Sequence, residues 1–285
     1  MTMRSDFAAL ILTHGRPDRV LTFNTLRRCG YTGRIIIVVD NEDKTYDQYR
    51  ARFAEVVVFD KKAVAARIDE GDNFNDRRAI IYARNASFDV ARDLGLRYFI
   101  QLDDDYTRFN HKRKPDNTYH DARILNLDAV FTVMVDYFEQ APRVHALAMA
   151  QGGDFMGGPA GTNWRKPSRK CMNSFICAVD RPFEFSGRIN EDVNTYTHLG
   201  SRGGLFLTTM CVGLQQLMTQ ANPGGMTEMY LASGTYVKSF YSVMYQPSSV
   251  TIGLYPTENT RLHHVVEWRN TVPAILDESW KKVPA

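Results

Sequence analysis

Three consecutive aspartates, Asp103, Asp104 and Asp105, are the residues of this chain best suited to chemistry. The segment before them, residues 97–102, is rich in aromatic and branched side chains and contains no Gly or Pro, which predicts a buried strand. Open α/β sheets bind their ligands at the edge where such strands end. Adjacent carboxylates repel one another unless a cation or solvent neutralises them. The triplet therefore predicts a Mg²⁺ or Mn²⁺ site that also holds a phosphorylated ligand, with a solvated acidic turn as the alternative.

Polar residues also follow two earlier predicted strands and lie on the helix before the triplet. Thr13 ends the first strand, with Gly15 and Arg16 just beyond it, Asp40 ends the second, and Arg84 lies on the helix. In a parallel sheet these positions converge on one edge, where they could face a nucleoside diphosphate. Asp40 could accept from the N3–H of uracil, and Arg84 could approach phosphate. Taken singly, each residue has an ordinary alternative role as a turn residue, a strand end or a helix-surface charge.

The elements that must position these residues follow from the hydrophobic pattern. Residues 7–13 and 34–39 are largely apolar runs, as expected of strands buried on both faces, and residues 55–59 predict a third strand. Helix-like stretches alternate with these strands, and a long helix is predicted from about Asp76 to Leu94. This alternation predicts an α/β fold with a mostly parallel sheet flanked by helices.

The second half of the chain has a different character. Residues 106–120 are polar and basic, and residues 125–140 form an amphipathic helix. Residues 152–169 are rich in Gly, Pro and basic side chains, which predicts a loop over a site rather than an element of the core. A later helix is predicted to end near Phe240.

Composition limits the class of protein. The 285 residues are 44% hydrophobic and 12% aromatic, enough for one large α/β domain. Lys and Arg number 35 against 32 Asp and Glu, and the resulting charge of +3 permits an anionic partner without requiring one. Four scattered cysteines without a CxxC pair disfavour a disulfide framework or a zinc site. Because no stretch approaches the ~20 apolar residues that span a bilayer, we expect a soluble, cytoplasmic protein without membrane association.

Four segments in this order resemble the GT-A class of nucleotide-sugar glycosyltransferases. They are ALILTHGRP (9–17), RIIIVVDNED (34–43), YARNAS (82–87) and YFIQLDDDY (98–106), the last of which corresponds to the Asp-x-Asp motif of that class. The resemblance covers residues 1–110. It implies a Rossmann-like GT-A fold, a UDP-sugar donor, and Mn²⁺ or Mg²⁺ bridging the diphosphate.

The same resemblance implies roles for individual residues. The residues that would contact the nucleotide-sugar are Thr13, Gly15, Arg16, Asp40, Arg84, Asp103 and Asp104. Asp40 would contact uracil, and Asp103 would contact the ribose or belong to the metal shell. Asp105, the second Asp of the motif, would be the main metal ligand. Asp104 is left without a distinct role of its own.

Residues 190–193, Asn-Glu-Asp-Val, resemble the Glu-Asp pair that supplies the general base in inverting GT-A enzymes. By that resemblance Asp192 takes the proton of the acceptor hydroxyl, and Glu191 beside it contacts acceptor or sugar. A pair of acids that complements the helix dipole is the alternative. Some enzymes of the class also take a His ligand for the metal from the C-terminal part. His263, slightly preferred to His264, is the candidate here, against a packed or surface histidine.

The whole chain also resembles the compact phage glycosyltransferases that accompany TET-like dioxygenases. This resemblance rests on the stretch NEDVNTY (190–196), the small size and the lack of a membrane anchor. It implies transfer of a sugar, glucose in the first instance, to a 5-hydroxymethylpyrimidine such as hydroxymethylcytosine in DNA, inside a phage-infected bacterium. Residues 1–110 would then be the nucleotide-sugar-binding half of the domain, and residues 111–285 the acceptor-binding and catalytic-base half.

A DNA acceptor requires positive charge for the phosphates and an aromatic surface for an extruded base. Basic residues at 112–114, 165–166 and 169–170, with Trp164 among them, could supply both, unless these charges are only solvated. Two other functions stay open. One is a glycosyltransferase acting on a polysaccharide or another carbohydrate acceptor. The other is a non-catalytic nucleic-acid-binding module whose acidic clusters are structural.

Overall fold

The computed structural model describes residues 3–72, 74–166, 168–217, 237–255 and 261–271. The strands are β1 (Phe7–Leu12), β2 (Arg34–Asp40), β3 (Val56–Phe59), β4 (Tyr98–Asp103), β5 (Tyr106–Arg113), β6 (Tyr119–Arg123), β7 (Val144–Ala150), β8 (Phe175–Ala178), β9 (Leu205–Gln216), β10 (Val250–Tyr255) and β11 (Arg261–Val266). The helices are α1 (Leu21–Arg28), α2 (Tyr46–Arg52), α3 (Lys61–Ala65), α4 (Ile81–Asp93), α5 (Leu127–Gln140), α6 (Glu191–Ser201), α7 (237–245) and α8 (Trp268–Thr271). Among these described residues, no helix is long and apolar enough to cross a membrane.

One large sheet contains most of the strands, in the order β3-β2-β1-β4-β8-β7-β9-β5-β6. Strands β3, β2, β1 and β4 are parallel neighbours, as are β7 and β9. Strand β8 is antiparallel to both its neighbours, and so is β5. All described strands of this sheet except β5 and β8 therefore point the same way, and the predicted mostly parallel α/β sheet is confirmed. Strands β10 and β11 form a separate antiparallel pair.

Both faces of the sheet are covered by helices. Alternate side chains of a strand point to opposite faces, so Phe7 and Ile11 of β1 pack in the apolar layer that contains α1, α2 and α5. Leu10 and Leu12 pack in the opposite layer, which contains α3, α4 and α6. Since both faces of β1 are buried, its sequence is continuously apolar rather than alternating.

The predicted start of one helix was wrong and one hairpin was not predicted, in both cases because polar side chains decide the local structure. Helix α4 begins at Ile81, not near Asp76, because the Asp76 carboxylate binds the backbone N–H and the guanidinium of Arg78 and favours a turn there. The polar and basic residues 106–123 form the hairpin β5–β6. Its buried Lys112 is neutralised by Asp121 at 3.0 Å, a pairing that the hydrophobic pattern does not show.

Candidate active site

Strands β1, β2 and β4 end together at one edge of the sheet. Leu12 is in register with both Val38 of β2 and Asp103 of β4. Thr13 directly follows β1 and Asp40 is the last residue of β2. Both therefore lie at the same edge as the Asp triplet. This is the edge at which open α/β sheets bind their ligands.

The Asp triplet forms the tight connection from β4 to β5, and its backbone is held from two sides. Thr22, fully buried at the start of α1, donates from Oγ1 to the carbonyl of Asp103 at 2.6 Å and from its N–H to that of Asp104 at 3.1 Å. The N–H of Leu217, just after β9, donates to the carbonyl of Asp105 at 3.3 Å. The turn is thus fixed independently of its carboxylates. Sequence reasoning missed Thr22, because nothing in its own segment marks so distant a contact.

Asp104 fastens the loop after β1 to this turn. Its Oδ2 accepts from Thr13 Oγ1 at 2.6 Å and lies 3.3 Å from Nη2 of Arg16. Burial raises the pKa of Asp104, although the charge of Arg16 and the bond from Thr13 oppose that rise. The middle aspartate, which had no distinct role in the sequence, therefore has a structural one.

Asp105 has no hydrogen bond or ion pair from its carboxylate to another residue within the described part of the chain. Burial, followed by the charges of Asp103 and Asp104, raises the pKa of Asp105 to about 7. A divalent cation would stabilise an unbalanced carboxylate in this position. The described residues hold no group of three or more His, Cys, Asp and Glu side chains arranged around a metal. A carboxylate is the ligand type that Mg²⁺ and Mn²⁺ prefer, so Asp105 is the residue of the triplet that could hold such an ion.

Arg84 lies between the Asp triplet and a distant pair of acids. Its Nη2 is 2.9 Å from Oδ1 of Asp103, and its Nε is 3.0 Å from Oε1 of Glu191. Its Cζ lies 4.9 Å and 5.9 Å from the ring centroids of Phe175 and Phe185. Because the guanidinium is only 1% exposed and is bonded to carboxylates, no surface is left for a phosphate. We therefore revise the interpretation of Arg84 as a phosphate contact: it binds protein carboxylates.

The acid pair Glu191–Asp192 begins α6, and Asn190 sets its position. Asn190 has a left-handed backbone with φ of 56°. Its Nδ2 donates to the carbonyl of Lys238 at 2.8 Å and to Oγ of Ser242 at 3.2 Å, both on α7. These bonds fix the start of α6, and with it the direction in which the two acids leave the helix.

The electrostatics of the pair show that it shares a site with the triplet. Burial and the charge of Asp192 raise the pKa of Glu191 to about 7, against the lowering effect of Arg84. The charge of Asp192 also contributes to the raised pKa of Asp103, after burial as the main cause. The pKa of Lys170 is lowered by burial, and the charge of Asp192 opposes that shift. The two acidic clusters, 87 residues apart between Asp105 and Asp192 in the sequence, are thus near enough for a charge in one to shift a pKa in the other.

Asp40 is already bonded inside the protein. Its Oδ2 lies 2.7 Å from Nδ1 of His14 and 3.4 Å from Nζ of Lys61, and its Oδ1 accepts from the N–H of Glu42 at 3.1 Å. Burial alone would raise the pKa of Asp40, but the bond from His14 and the charge of Lys61 lower it overall. A uracil ring that bonded Asp40 would compete with His14, whose side chain is 44% exposed.

The loop after β1 is held by two buried residues that sequence reasoning did not select. Gly15, with φ of 69°, donates its N–H to Oδ2 of Asp43 at 2.7 Å, and the N–H of Arg16 donates to the hydroxyl of Tyr49 at 2.8 Å. Asp43 and Tyr49 are both buried. The available signal was weak: an acid soon after β2, and an aromatic residue on the inner face of α2. The left-handed φ explains why Gly15 is a glycine.

The two adjacent histidines of β11 differ in their surroundings. His264 is buried, with Nδ1 3.3 Å from Nδ2 of Asn190 and Nε2 3.5 Å from Nζ of Lys170. Burial and the charge of Lys170 lower the pKa of His264 to about 2, so its ring is neutral. His264 therefore contacts the start of α6, and the metal-ligand candidate His263 precedes it on β11.

Trp164 does not offer a surface for an extruded base. It is 6% exposed and packs with Phe155 in a small apolar cluster beside β5 and β6. The guanidinium carbons of Arg113 and Arg165 lie 5.0 Å and 4.8 Å from its ring centroids, and Arg113 also donates to its carbonyl at 2.8 Å. The expectation that Trp164 stacks on an acceptor base is corrected by this burial.

The basic runs of the second half divide into paired and exposed residues. Lys112 is bonded to Asp121, and Arg169 pairs with Asp154 at 3.0 Å. The exposed members of these runs are Lys114, Arg165 and Lys166. The positive surface available to a polyanion is thus smaller than the sequence indicated.

A large apolar groove, of about 860 Å³, runs along β9 between α5 and α8. Val133, Tyr137, Phe206 and Trp268 are among the side chains that line it. None of the carboxylates described above belongs to its lining. The groove is therefore separate from the acidic site.

Among solved structures, the chain is similar to the crystal structure of glucosyl-3-phosphoglycerate synthase from Mycobacterium tuberculosis in complex with Mn²⁺, uridine diphosphate and phosphoglyceric acid. The similarity covers 94% of this chain and 88% of that one, with 11% sequence identity and a TM-score of 0.45. Comparison with curated proteins gives no match.

Residues 7–225 match the protein family described as TET-Associated Glycosyltransferase. The matched region contains the Asp triplet, Arg84 and the pair Glu191–Asp192. The chain belongs to the TET-associated glycosyltransferase family. Membership in this family confirms that the protein is a glycosyltransferase, as the sequence resemblance implied, and that the non-catalytic alternative is wrong.

Proposed function

We propose that this TET-associated glycosyltransferase transfers a sugar, most simply glucose, from a UDP-sugar to the hydroxymethyl group of a 5-hydroxymethylpyrimidine in DNA. The observation that carries the proposal is the single guanidinium bonded to both Asp103 and Glu191. This guanidinium joins the candidate donor site at Asp103 to Glu191, the neighbour of the candidate base Asp192. The TET association in the family's name supports a modified DNA base as the acceptor.

On the donor side, Asp105 and the second oxygen of Asp103 would hold a divalent cation, Mn²⁺ or Mg²⁺. The cation would stabilise the negative charge that develops on the departing UDP. The loop of Thr13, Gly15 and Arg16 lies at the same sheet edge and would line the nucleoside. Its rigid attachment through Asp104 and Asp43 supplies a preformed surface, which limits the ordering cost of binding.

On the acceptor side, Asp192 would accept the proton of the hydroxymethyl group. The hydroxyl oxygen of that group attacks the anomeric carbon of the sugar while the bond from this carbon to the UDP oxygen breaks. One displacement of this kind inverts the configuration at that carbon. Glu191 cannot play the same part freely, because its carboxylate is bonded to Arg84. Its role is contact with acceptor or sugar from a fixed position. His263 as a further metal ligand stays a prediction, and His264 would steady Asn190.

The direct test combines the protein with Mn²⁺, a panel of UDP-sugars and DNA that contains hydroxymethylated or unmodified pyrimidines, followed by mass analysis of the nucleosides. A hexosyl increase confined to the hydroxymethylated nucleoside is expected. A parallel reaction replaces the DNA with a polysaccharide acceptor, and transfer there but not to DNA would support the carbohydrate-acceptor alternative and refute the proposed acceptor.

Two variants test the residue roles. Asp192→Asn should keep UDP and metal binding yet lose transfer, since an amide cannot take the proton. Asp47→Asn, which removes an exposed first-turn acid from α2, is the matched control and should transfer normally. Asp105→Ala should abolish the metal dependence of UDP binding in calorimetry, and an unchanged affinity would remove the metal site from the proposal.

A further inference from the structure

We infer that Arg84 is a positioning residue that fixes the spacing between the sugar donor and the catalytic base. One buried guanidinium binds the first aspartate of the β4–β5 turn and the glutamate that starts α6, so the two halves of the site cannot move independently. The inference rests on the proposed function for its assignment of Asp103 to the donor and Asp192 to the base.

The geometry carries this inference because each carboxylate is bound by a different nitrogen of a planar group. Nη2 of Arg84 binds Asp103, and Nε binds Glu191, at 2.9 Å and 3.0 Å. A guanidinium holds its donors in a fixed plane, so the direction as well as the distance between the two carboxylates is set. The residues joined are 19 and 107 positions from Arg84 in the chain. Arg84 thereby links α4, β4 and α6.

The guanidinium is itself held in place. Its Nη1 lies 3.5 Å from Oε1 of the fully buried Gln101, whose Nε2 donates back to the carbonyl of Arg84 at 3.0 Å. Two aromatic rings, of Phe175 and Phe185, cover its carbon. The neighbouring Asn85 exchanges two hydrogen bonds with the backbone of Phe185, at 2.9 Å and 3.0 Å. The pair Arg84–Asn85 therefore fixes both the acids and the segment that leads to α6.

The charges of the site explain why an arginine lies between its two acidic segments. The donor turn and the start of α6 both carry carboxylates, and like charges brought together at one site repel one another. Arg84 is bonded to Asp103 and to the neighbour of Asp192, and it offsets that repulsion from inside the protein. Buried ion pairs add little net stability, because desolvation of the charges cancels much of their attraction. The function that remains for this network is to hold a geometry.

The test uses Arg84→Met, which removes the charge, and Arg84→Lys, which keeps it but cannot bind two carboxylates in the guanidinium plane. Arg181→Met is the matched control, since Arg181 is also a largely buried arginine, but it bonds carbonyls at the end of α5 and the start of β7. We expect kcat to fall about 100-fold in Arg84→Met and less in Arg84→Lys, because a misplacement near 1 Å has this effect. The Kd for UDP with Mn²⁺ should stay within about threefold.

Glu191→Gln provides a second comparison. It should lower kcat in the wild-type background and lower it less in Arg84→Met, where the bond between the two residues is already lost and only the contact of Glu191 with acceptor or sugar remains to be removed. Additive effects would overturn the inference. Weaker binding of UDP by Arg84→Met with kcat unchanged would also overturn it. The same holds if Arg84→Met loses no more activity than an Arg181→Met protein of equal thermal stability.

A crystal structure of Arg84→Met, or of Arg84→Lys if the former does not fold, separates this inference from the proposed function. The start of α6 should move away from the β4–β5 turn. If the two acids keep their places without the guanidinium, Arg84 does not position them, whether or not the protein transfers sugar to DNA. Wild-type protein that transfers no sugar to DNA would refute the proposed function while leaving this structural comparison valid.

Discussion

Replacing Asp105 with asparagine should stabilise the metal-free protein at alkaline pH. Burial and two adjacent carboxylates raise the pKa of Asp105 from 3.8 to about 7. A carboxyl group whose pKa is higher in the folded than in the unfolded state contributes stability below pH 3.8, and this contribution is lost as the pH rises to 7. Above pH 7 the ionised Asp105 therefore destabilises the fold relative to an uncharged amide of the same shape.

The size of the effect follows from the two pKa values. Their difference, at 1.36 kcal/mol per pH unit, corresponds to roughly 4 kcal/mol. Because Asp105 is half-buried, water screens part of this, and an advantage of about 2 kcal/mol for Asp105→Asn at pH 8 is expected. The advantage should disappear at pH 4, where both side chains are neutral in the folded protein.

Chemical denaturation in the presence of a chelator, at pH values from 4 to 8.5, measures this directly. Asp47→Asn is the control, since Asp47 is exposed on α2 and its removal should leave the pH dependence unchanged. Adding Mn²⁺ and UDP should stabilise the wild type by mass action and Asp105→Asn much less. Equal pH dependence of wild type and Asp105→Asn would refute the claim that this carboxylate is unbalanced without a cation.

Three further predictions concern residues around the site. Thr13→Val should lower the free energy of unfolding by about 1–3 kcal/mol, because buried Asp104 loses a hydroxyl donor, and denaturation against the wild type measures this. Trp164→Leu should lower thermal stability but leave DNA affinity unchanged once folded protein is compared, and a selective loss of DNA binding would contradict its burial. Charge reversal of the exposed Arg165 and Lys166 together should weaken DNA binding and reduce its salt dependence without altering UDP affinity, whereas unaltered binding at low salt would exclude these two residues from the DNA surface.

The donor edge could be predicted from the sequence because it depends on local pattern. Continuous apolar runs identified β1 and β2, and polar residues at their ends had to meet at one edge of a parallel sheet. Thr13, Asp40 and the Asp triplet are adjacent for this reason. No contact between distant segments was needed to reach that result.

The parts that the sequence did not reveal are the ones that depend on burial of paired charges. Lys112 and Arg84 are of residue types that are usually exposed. Each is nevertheless buried against a carboxylate from another segment. A pairing between residues far apart in the chain leaves no periodic signal. The hairpin β5–β6 was therefore missed, and Arg84 was assigned to a phosphate rather than to Asp103.

Pairing also separates the roles of the three aspartates, which the sequence presents as equals. Asp103 is neutralised in part by Arg84, and Asp104 is bonded to Thr13 and Arg16. Asp105 has no such partner in the described part of the chain, so its carboxylate is the one of the three that an external cation would stabilise most. A metal held by Asp105 could take the second oxygen of Asp103 as a further ligand, whereas Asp104 would act only as neighbouring charge. Cationic side chains of the protein partly neutralise Asp103 and Asp104 but not Asp105. This difference predicts that an added divalent cation binds at Asp105, and the Asp105 substitutions test that prediction.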